Sequence, residues 1–243
     1  MIQEAITNYK LQHTITTLSP LKAILFDMDG VIFDSMPYHA LSWVNAFKQV
    51  GITFSEYEVY LNEGRTGAST IHNEFLSQKH RQASDAEIKE LYALKSQHFE
   101  ACGKPIAMNY ATETLNRVKH LGLDIFLVTG SGQVSLLNTL NTYFPAVFSK
   151  QNMVTAYDVT HGKPHPEPYL IALEKGNLQA QQAFVVENAP LGIQAAVAAN
   201  IFTVAVNTGI LEDKVLLEAG ANIVVPSLAD FYHLLPSLVE NWK

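Results

Sequence analysis

The sequence predicts a doubly wound α/β fold, a parallel sheet covered by helices on both faces, interrupted by an all-helical insertion. Three observations predict it. From residue 104 onward, short apolar runs such as "IFLV", "AFVV" and "TVAV" alternate with helical stretches, the signature of successive βαβ units. These runs are continuous rather than alternating in polarity, as in strands buried on both faces. Between the first such run, "AILF", and the others, the chain reads as helix alone.

Taken in order, residues 1–18 are polar and mixed, without clear periodicity, and read as an N-terminal extension. "LKAILFD" reads as a buried strand that stops at Asp27 and turns at Gly30. "PYHALSWVNAFKQVG" has helical spacing and a glycine stop. "SEYEVYLNEG", "ASTIHNEFLSQKH" and "SDAEIKELYALKSQHFEA" follow, two of them opening on a serine with a glutamate three positions on, as in a capping box. After "GKP" at 103–105 come helix "YATETLNRVKHLG", strand "DIFLVTG" and helix "QVSLLNTLN". Helix "PEPYLIALEKGN", strand "AFVVEN" and helix "APLGIQAAVAAN" continue the alternation, and strand "FTVAVN", helix "LEDKVLLEAG" and strand "NIVV" end it. The organisation expected is a core of residues 19–34 and 104–243, with residues 35–103 inserted as a helical cap.

Composition narrows the class. The 243 residues are 48% apolar and 16% charged, enough for a sizeable core. A formal net charge of −7 argues against general affinity for nucleic acid or an anionic membrane, while leaving room for a local cation cluster that binds a small anion. Cys102 is the only cysteine, so no internal disulfide forms, which fits a reducing compartment. No apolar run is long enough to span a bilayer, and the N-terminus lacks the pattern of a signal peptide. A cytoplasmic monomer is expected.

In open parallel sheets, ligands bind beyond the carboxyl ends of the strands. Those ends present Asp27 and Asp29, then Thr129 to Gly132, then Glu187 and Asn188, while Lys163 precedes a helix in "HGKPHPEP". Paired aspartates, a hydroxyl cluster and one lysine suit Mg²⁺-dependent phosphoryl transfer, in which cation and lysine offset the charge between carboxylates and phosphate. One carboxylate can attack phosphorus while its neighbour moves protons. A calcium loop fits the aspartates poorly, because the glycine comes too early and Tyr38 stands where glutamate is needed. "GSGQVS" resembles a dinucleotide fingerprint, but Ser135 replaces its third glycine. His161 and His165 read as loop residues, and Asp34 as a capping or solvated aspartate.

"DMDG", "VTGS", "GKPHPEP" and "VVENAPLGI" occur in the order of the four motifs of the haloacid dehalogenase superfamily, whose Rossmann-like core the chain resembles. "DGVIFDSMPYHALSW" and "ENAPLGIQAAVAANI" extend the likeness to its β-phosphoglucomutase-like members with a small helical cap. The resemblance implies Asp27 as nucleophile and Mg²⁺ ligand, and Asp29 as general acid/base with its carbonyl on the metal. It further implies Thr129, Gly130 and Ser131 as the phosphoryl cradle, Lys163 as the neutralising cation, and Glu187 and Asn188 as the acidic metal motif.

Two positions depart from the pattern. Asn188 stands where the family's metal motif ends in a second acid, removing one negative charge. In the sugar-phosphate mutases of the group, a lysine and an arginine of the cap meet the far phosphate; Glu63 and Gly67 stand there, with Arg65 nearby. The family's inorganic pyrophosphatases are similar in "EGRTGAST" and "ENAPLG", so Glu63 is expected to swing in on cap closure and approach the Mg²⁺. His39, one turn before Trp43, resembles a mutase histidine that positions the proton-transfer aspartate, with core packing an equal alternative. Arg65 and Lys95 are candidates for a second phosphate, a solvated helix face being the competing reading for Lys95.

The function expected is a Mg²⁺-dependent phosphohydrolase acting through an aspartyl-phosphate on pyrophosphate or a small phosphate ester. A sugar-phosphate mutase is the alternative, and a non-catalytic metal- or phosphate-binding protein a third reading.

Overall fold

The computed structural model describes residues 1–242. In chain order, α1 (Ile2–Gln12) leads to β1 (Ala23–Phe26) and the short β2 (Phe33–Asp34). Four helices follow: α2 (Met36–Gln49), α3 (Glu56–Leu61), α4 (Gly67–Lys79) and α5 (Asp85–Ala101). The chain then runs through β3 (Ile106–Ala107), α6 (Ala111–His120), β4 (Asp124–Val128), α7 (Val134–Tyr143), β5 (Met153–Val154) and α8 (Glu167–Lys175). It ends with β6 (Ala183–Glu187), α9 (Pro190–Ala198), β7 (Phe202–Val206), α10 (Asp213–Glu218), β8 (Ile223–Val225) and α11 (Leu228–Asn241).

Six strands form one sheet in the order β5-β4-β1-β6-β7-β8, every neighbouring pair parallel. β1, β6 and β7 are buried along their whole length because helices cover both faces. The period of two splits their side chains. Ile24, Phe26, Phe184 and Val186 enter the larger core cluster with Leu115, Leu140 and Phe231. Ala23, Leu25 and Val185 enter a second cluster with Tyr169 and Ala196. β2 and β3 pair antiparallel and join the helical insertion to the sheet.

The insertion consists of α2 to α5 around Phe47, Phe54 and Phe75. The two serine capping boxes form as the sequence predicts, Ser55 with Glu58 and Ser84 with Glu87. This cap lies closed on the sheet. A Cβ added to Gly162 would stand 2.8 Å from Thr66 Cγ2, and one on Gly130 would overlap the Gly64 carbonyl.

Three elements differ from expectation. Residues 1–18 contain α1, whose Ala5, Ile6 and Tyr9 are buried. The Tyr9 hydroxyl donates to the Asn200 carbonyl at 2.7 Å, and its ring meets Phe202 edge-on. One narrow apolar face on a polar helix was too weak a pattern to read. The C-terminal α11, unassigned from the sequence, seals the same side of the sheet with Leu228, Phe231, Leu235 and Leu238 despite an internal Pro236. The two-residue β5 is too short to carry a periodicity.

The close approach of α9 to the end of β6 depends on Gly192, where an added Cβ would overlap the Glu187 carboxylate. Helix propensity alone would make alanine about 1 kcal/mol better there. Overpacking should reverse the sign, and Gly192→Ala should destabilise the fold by about 1–3 kcal/mol in urea denaturation. An unchanged or higher midpoint would contradict this packing.

Candidate active site

The carboxyl ends of β4, β1 and β6 lie side by side, and the candidate residues leave from them. Asp27 directly follows β1. Gly30, at φ +80°, turns the chain back beneath Asp29, and a Cβ there would strike the Asn188 side chain. Thr129 follows β4, Asn188 follows β6, and Lys163 arrives on the segment between β5 and α8. Asp27, Asp29, Thr129, Lys163, Glu187 and Asn188 are all buried. Asp34 is exposed and outside this group.

Lys163 is the electrostatic centre. Its Nζ donates at 2.6 Å to Asp27 Oδ1, at 2.6 Å to Glu187 Oε1 and at 3.0 Å to the Val128 carbonyl. Burial opposes its charge, but Asp27 and Glu187 outweigh burial and hold its pKa well above the ordinary lysine value. Glu187 is fully engaged: Oε1 also accepts from the Tyr169 hydroxyl at 3.1 Å, and Oε2 accepts from the Asn188 and Ala189 amides at 2.8 and 3.1 Å. Expected as a metal ligand, Glu187 instead anchors Lys163, because no oxygen of its carboxylate is left free.

Three other oxygens are free. Asp27 Oδ2, Asp29 Oδ2 and Asn188 Oδ1 are buried without a hydrogen-bond partner. An unmatched buried polar atom costs about 1–3 kcal/mol, so three at neighbouring strand ends mark a place for a further group. Two carboxylate oxygens and an amide oxygen form a hard donor set, suited to Mg²⁺ rather than to a softer ion.

The two aspartates differ sharply. Burial pushes the Asp27 carboxyl up to about 8, against the pull of Lys163 and with the repulsion of Glu187 and Asp29 added. Burial acts on Asp29 as well, but His39, Ser35 and Lys95 overcome it and lower its pKa. Ser35 Oγ donates to Asp29 Oδ1 at 2.6 Å, and His39 Nε2 lies 2.9 Å from the same oxygen. Lys95 Nζ stands 2.9 Å from His39 Nδ1. An ammonium can only donate, so Nδ1 accepts and Nε2 carries the proton toward Asp29. His39 thus links Asp29 to Lys95. Lys95 is not on a solvated face; it is 2% exposed.

The remaining candidates divide. Ser131 N–H donates to Thr129 Oγ1 at 3.0 Å, which folds the turn of Thr129, Gly130 and Ser131 tightly on itself. Glu63 faces the aspartates: burial, then Asp29 and Asp27, raise its pKa well above the usual carboxylate value. Arg65 pairs within its own loop. Its Nε donates to Asn62 Oδ1 at 3.2 Å, and it lines a cavity of about 670 Å³ with Thr66, His72, His161 and Lys163. Gly67 has no room for a side chain, because the Tyr92 ring packs against it. Ser35, Tyr92 and Tyr169 had no role in the sequence reading. Tyr169 was the most findable, six residues after Lys163 and directly after the motif "GKPHPEP".

Residues 24–206 match the sequence profile of the family described as "Haloacid dehalogenase-like hydrolase". A solved structure from Bacteroides vulgatus, provisionally named a beta-phosphoglucomutase, is similar at a TM-score of 0.95 and 49% identity, over 100% of this chain and 98% of its own. Hexitol phosphatase A of Escherichia coli is 29% identical over 187 residues, covering 76% of this chain and 83% of its own. The beta-phosphoglucomutase of Bacillus subtilis is 26% identical over 232 residues, 92% of this chain and 96% of its own.

Burial lowers the Lys95 pKa from 10.5 to about 8, although Asp29 and Glu63 favour its charge. Below pH 8 the folded protein carries this ammonium at a cost of about 3 kcal/mol. Between pH 8 and 10.5 the unfolded chain holds the proton that the folded one has released, so the cost fades as pH rises. Lys95→Met should therefore raise the melting temperature by several degrees at pH 7, with a gain that shrinks toward pH 10. A gain independent of pH would refute this account of the buried lysine.

Proposed function

The chain belongs to the haloacid dehalogenase-like hydrolases, and from that premise we propose a Mg²⁺-dependent phosphohydrolase that works through an aspartyl-phosphate on inorganic pyrophosphate or a comparably small phosphate ester. Its curated relatives are phosphatases and phosphomutases, so phosphoryl-transfer enzymology is common to them. Asp27 is the nucleophile: Lys163 orients its carboxylate, which attacks phosphorus as the bond to the leaving phosphate or alcohol breaks. The same ammonium meets the oxygens of the transferring group, and the hydroxyl and amides at Thr129 to Ser131 reorganise around them.

Asp29, held by Ser35 and His39, is the proton-transfer residue. It takes a proton from the water that attacks the aspartyl-phosphate, so that phosphate leaves and Asp27 is restored. That proton goes to the leaving oxygen in the next turnover, so the cycle closes. Mg²⁺ would be held by Asp27 Oδ2, Asn188 Oδ1 and the backbone at Asp29; bound there, it neutralises charge on the phosphoryl group.

The observation that carries the substrate reading is Glu63 beside Asp29 and Asp27, together with the Tyr92 ring against Gly67. By the alignment with the mutases, the two cations that would grip the far phosphate of a sugar are absent. In their place stands a carboxylate that raises the affinity for a divalent cation and occupies sugar space. The likeness to the Bacteroides vulgatus protein favours a second reading, a sugar-phosphate mutase.

Phosphate release should be measured with Mg²⁺ on pyrophosphate, hexitol phosphates and β-glucose 1-phosphate. Pyrophosphate should be the best substrate, and Asp27→Asn should lower its turnover by at least about a thousandfold. No release above buffer on any of them would end the hydrolase reading, and isomerisation of β-glucose 1-phosphate without release would install the mutase.

Glu63→Ala should reduce pyrophosphate turnover at least about tenfold more than turnover of any ester it accepts. Equal losses on both substrate types would remove Glu63 from substrate selection.

A further inference from the structure

We propose that His161, His165 and Glu167 form a binding site for one borderline divalent cation of the Zn²⁺ or Ni²⁺ type, on the segment that carries Lys163. The three side chains have ligand atoms within 4.8 Å of one another, and they are the one such His/Cys/Asp/Glu group among the described residues. His161 Nδ1 already bonds Glu167 Oε2 at 2.8 Å, and His165 Nδ1 lies 3.9 Å from the same oxygen. The two imidazole rings face each other with centroids 4.8 Å apart. Ligands around a tetrahedral cation at about 2.0–2.2 Å stand slightly more than 3 Å apart, so small rotations of the two rings close this cluster on an ion.

The group is held in advance of any ion. Glu167 accepts from the Thr160 amide at 2.6 Å and the His161 amide at 3.0 Å, which fixes its carboxylate against the backbone. Pro164 and Pro166 flank His165 and restrict the chain on both sides of it. Both histidine side chains are more than half exposed, leaving room for water or a further ligand to complete the coordination. An ion entering here replaces the proton shared by His161 and Glu167, and exchanges the 3.2 Å bond from the Glu167 amide to His165 Nδ1 for a metal bond.

Donor chemistry keeps the two cation sites apart. Two imidazoles and one carboxylate favour Zn²⁺, Ni²⁺ or Cu²⁺ and hold Mg²⁺ weakly, whereas the oxygens at Asp27, Asp29 and Asn188 have the opposite preference. The segment 161–167 brackets Lys163, so a bound ion would tie together the two ends of the stretch that delivers the ammonium to Asp27.

The test uses the full-length chain without a histidine tag, in excess Mg²⁺ to fill the oxygen site. Titration of Zn²⁺ against a chromophoric chelator should show one equivalent bound. The His161→Ala/His165→Ala double variant should bind it at least about tenfold more weakly while keeping the Mg²⁺-dependent turnover of the parent. Cu²⁺ on the parent should give an electron paramagnetic spectrum with nitrogen couplings from two imidazoles, absent from the double variant. Equal Zn²⁺ affinity in parent and variant, or loss of the bound equivalent in Asp27→Asn alone, would overturn the proposal. Should the double variant not fold, a parent Cu²⁺ spectrum showing only oxygen ligands would overturn it equally.

Discussion

Everything at the strand ends is organised by one buried ammonium. Lys163 stands between Asp27 and Glu187, with no exposed side-chain surface of its own. Its three acceptors sit at the ends of β1, β4 and β6, so one group pins the three central strands at the point where chemistry occurs. Removing a partner from such a cluster leaves an uncompensated buried charge, a loss of about 3–5 kcal/mol. Gly192 follows from the same constraint: only a helix without a side chain at that position can come close enough to pack on the Glu187 carboxylate. The cluster is also incomplete in partners: one oxygen each of Asp27, Asp29 and Asn188 is buried and accepts no hydrogen bond.

The second organising feature is the division of donors between the two aspartates. Asp27 is held by a lysine of the core, Asp29 by a serine at the start of α2, a histidine of α2 and, through it, a lysine of α5. Two carboxylates separated by one residue are thus fixed from opposite halves of the protein. Their pKa values diverge for that reason and not through any difference in burial, since both are buried. The two carboxylates therefore sit in different environments, one against a core ammonium and one against the serine and histidine of α2.

The legible part of this protein is the part encoded by local pattern. Continuous apolar runs located the sheet, the rule that ligands bind at strand ends located Asp27, Asp29 and Thr129, and the motif "GKPHPEP" singled out Lys163. What escaped was set by contacts between distant segments. Lys95 meets His39 across 56 positions of sequence, and a helical surface pattern could not announce that its ammonium is buried. Glu187 was read as a ligand because its motif is acidic; only the positions of Tyr169, Lys163 and two amides reveal that its oxygens are already taken. Arg65 reads as a substrate cation by proximity in sequence, and only the structure shows its Nε bonded to Asn62 and its place in a cavity shared with Lys163. The helix α1 was missed for the opposite reason: Ala5, Ile6 and Tyr9 form a face too narrow for periodicity, and only Tyr9's contacts with Phe202 and Asn200 make the segment part of the core.

The closed cap bears directly on substrate size. Where the loop before α4 meets the sheet, glycine stands on both sides: Gly64 opposite Gly130, and Gly162 opposite Thr66. At these points backbone approaches backbone, and side chains that would hold the halves apart are missing. The Tyr92 ring fills the place beside Gly67 where the mutase alignment puts an arginine, while Glu63 adds its own volume and charge within reach of Asp29. Steric and electrostatic effects therefore act in one direction. On the function proposed above, a sugar bearing a second phosphate would meet neither of the two cap cations of the mutase alignment, whereas the charge of a small phosphate would be met by Lys163 and a bound cation. The selectivity of such a site would come from what the cap excludes as much as from what the core binds.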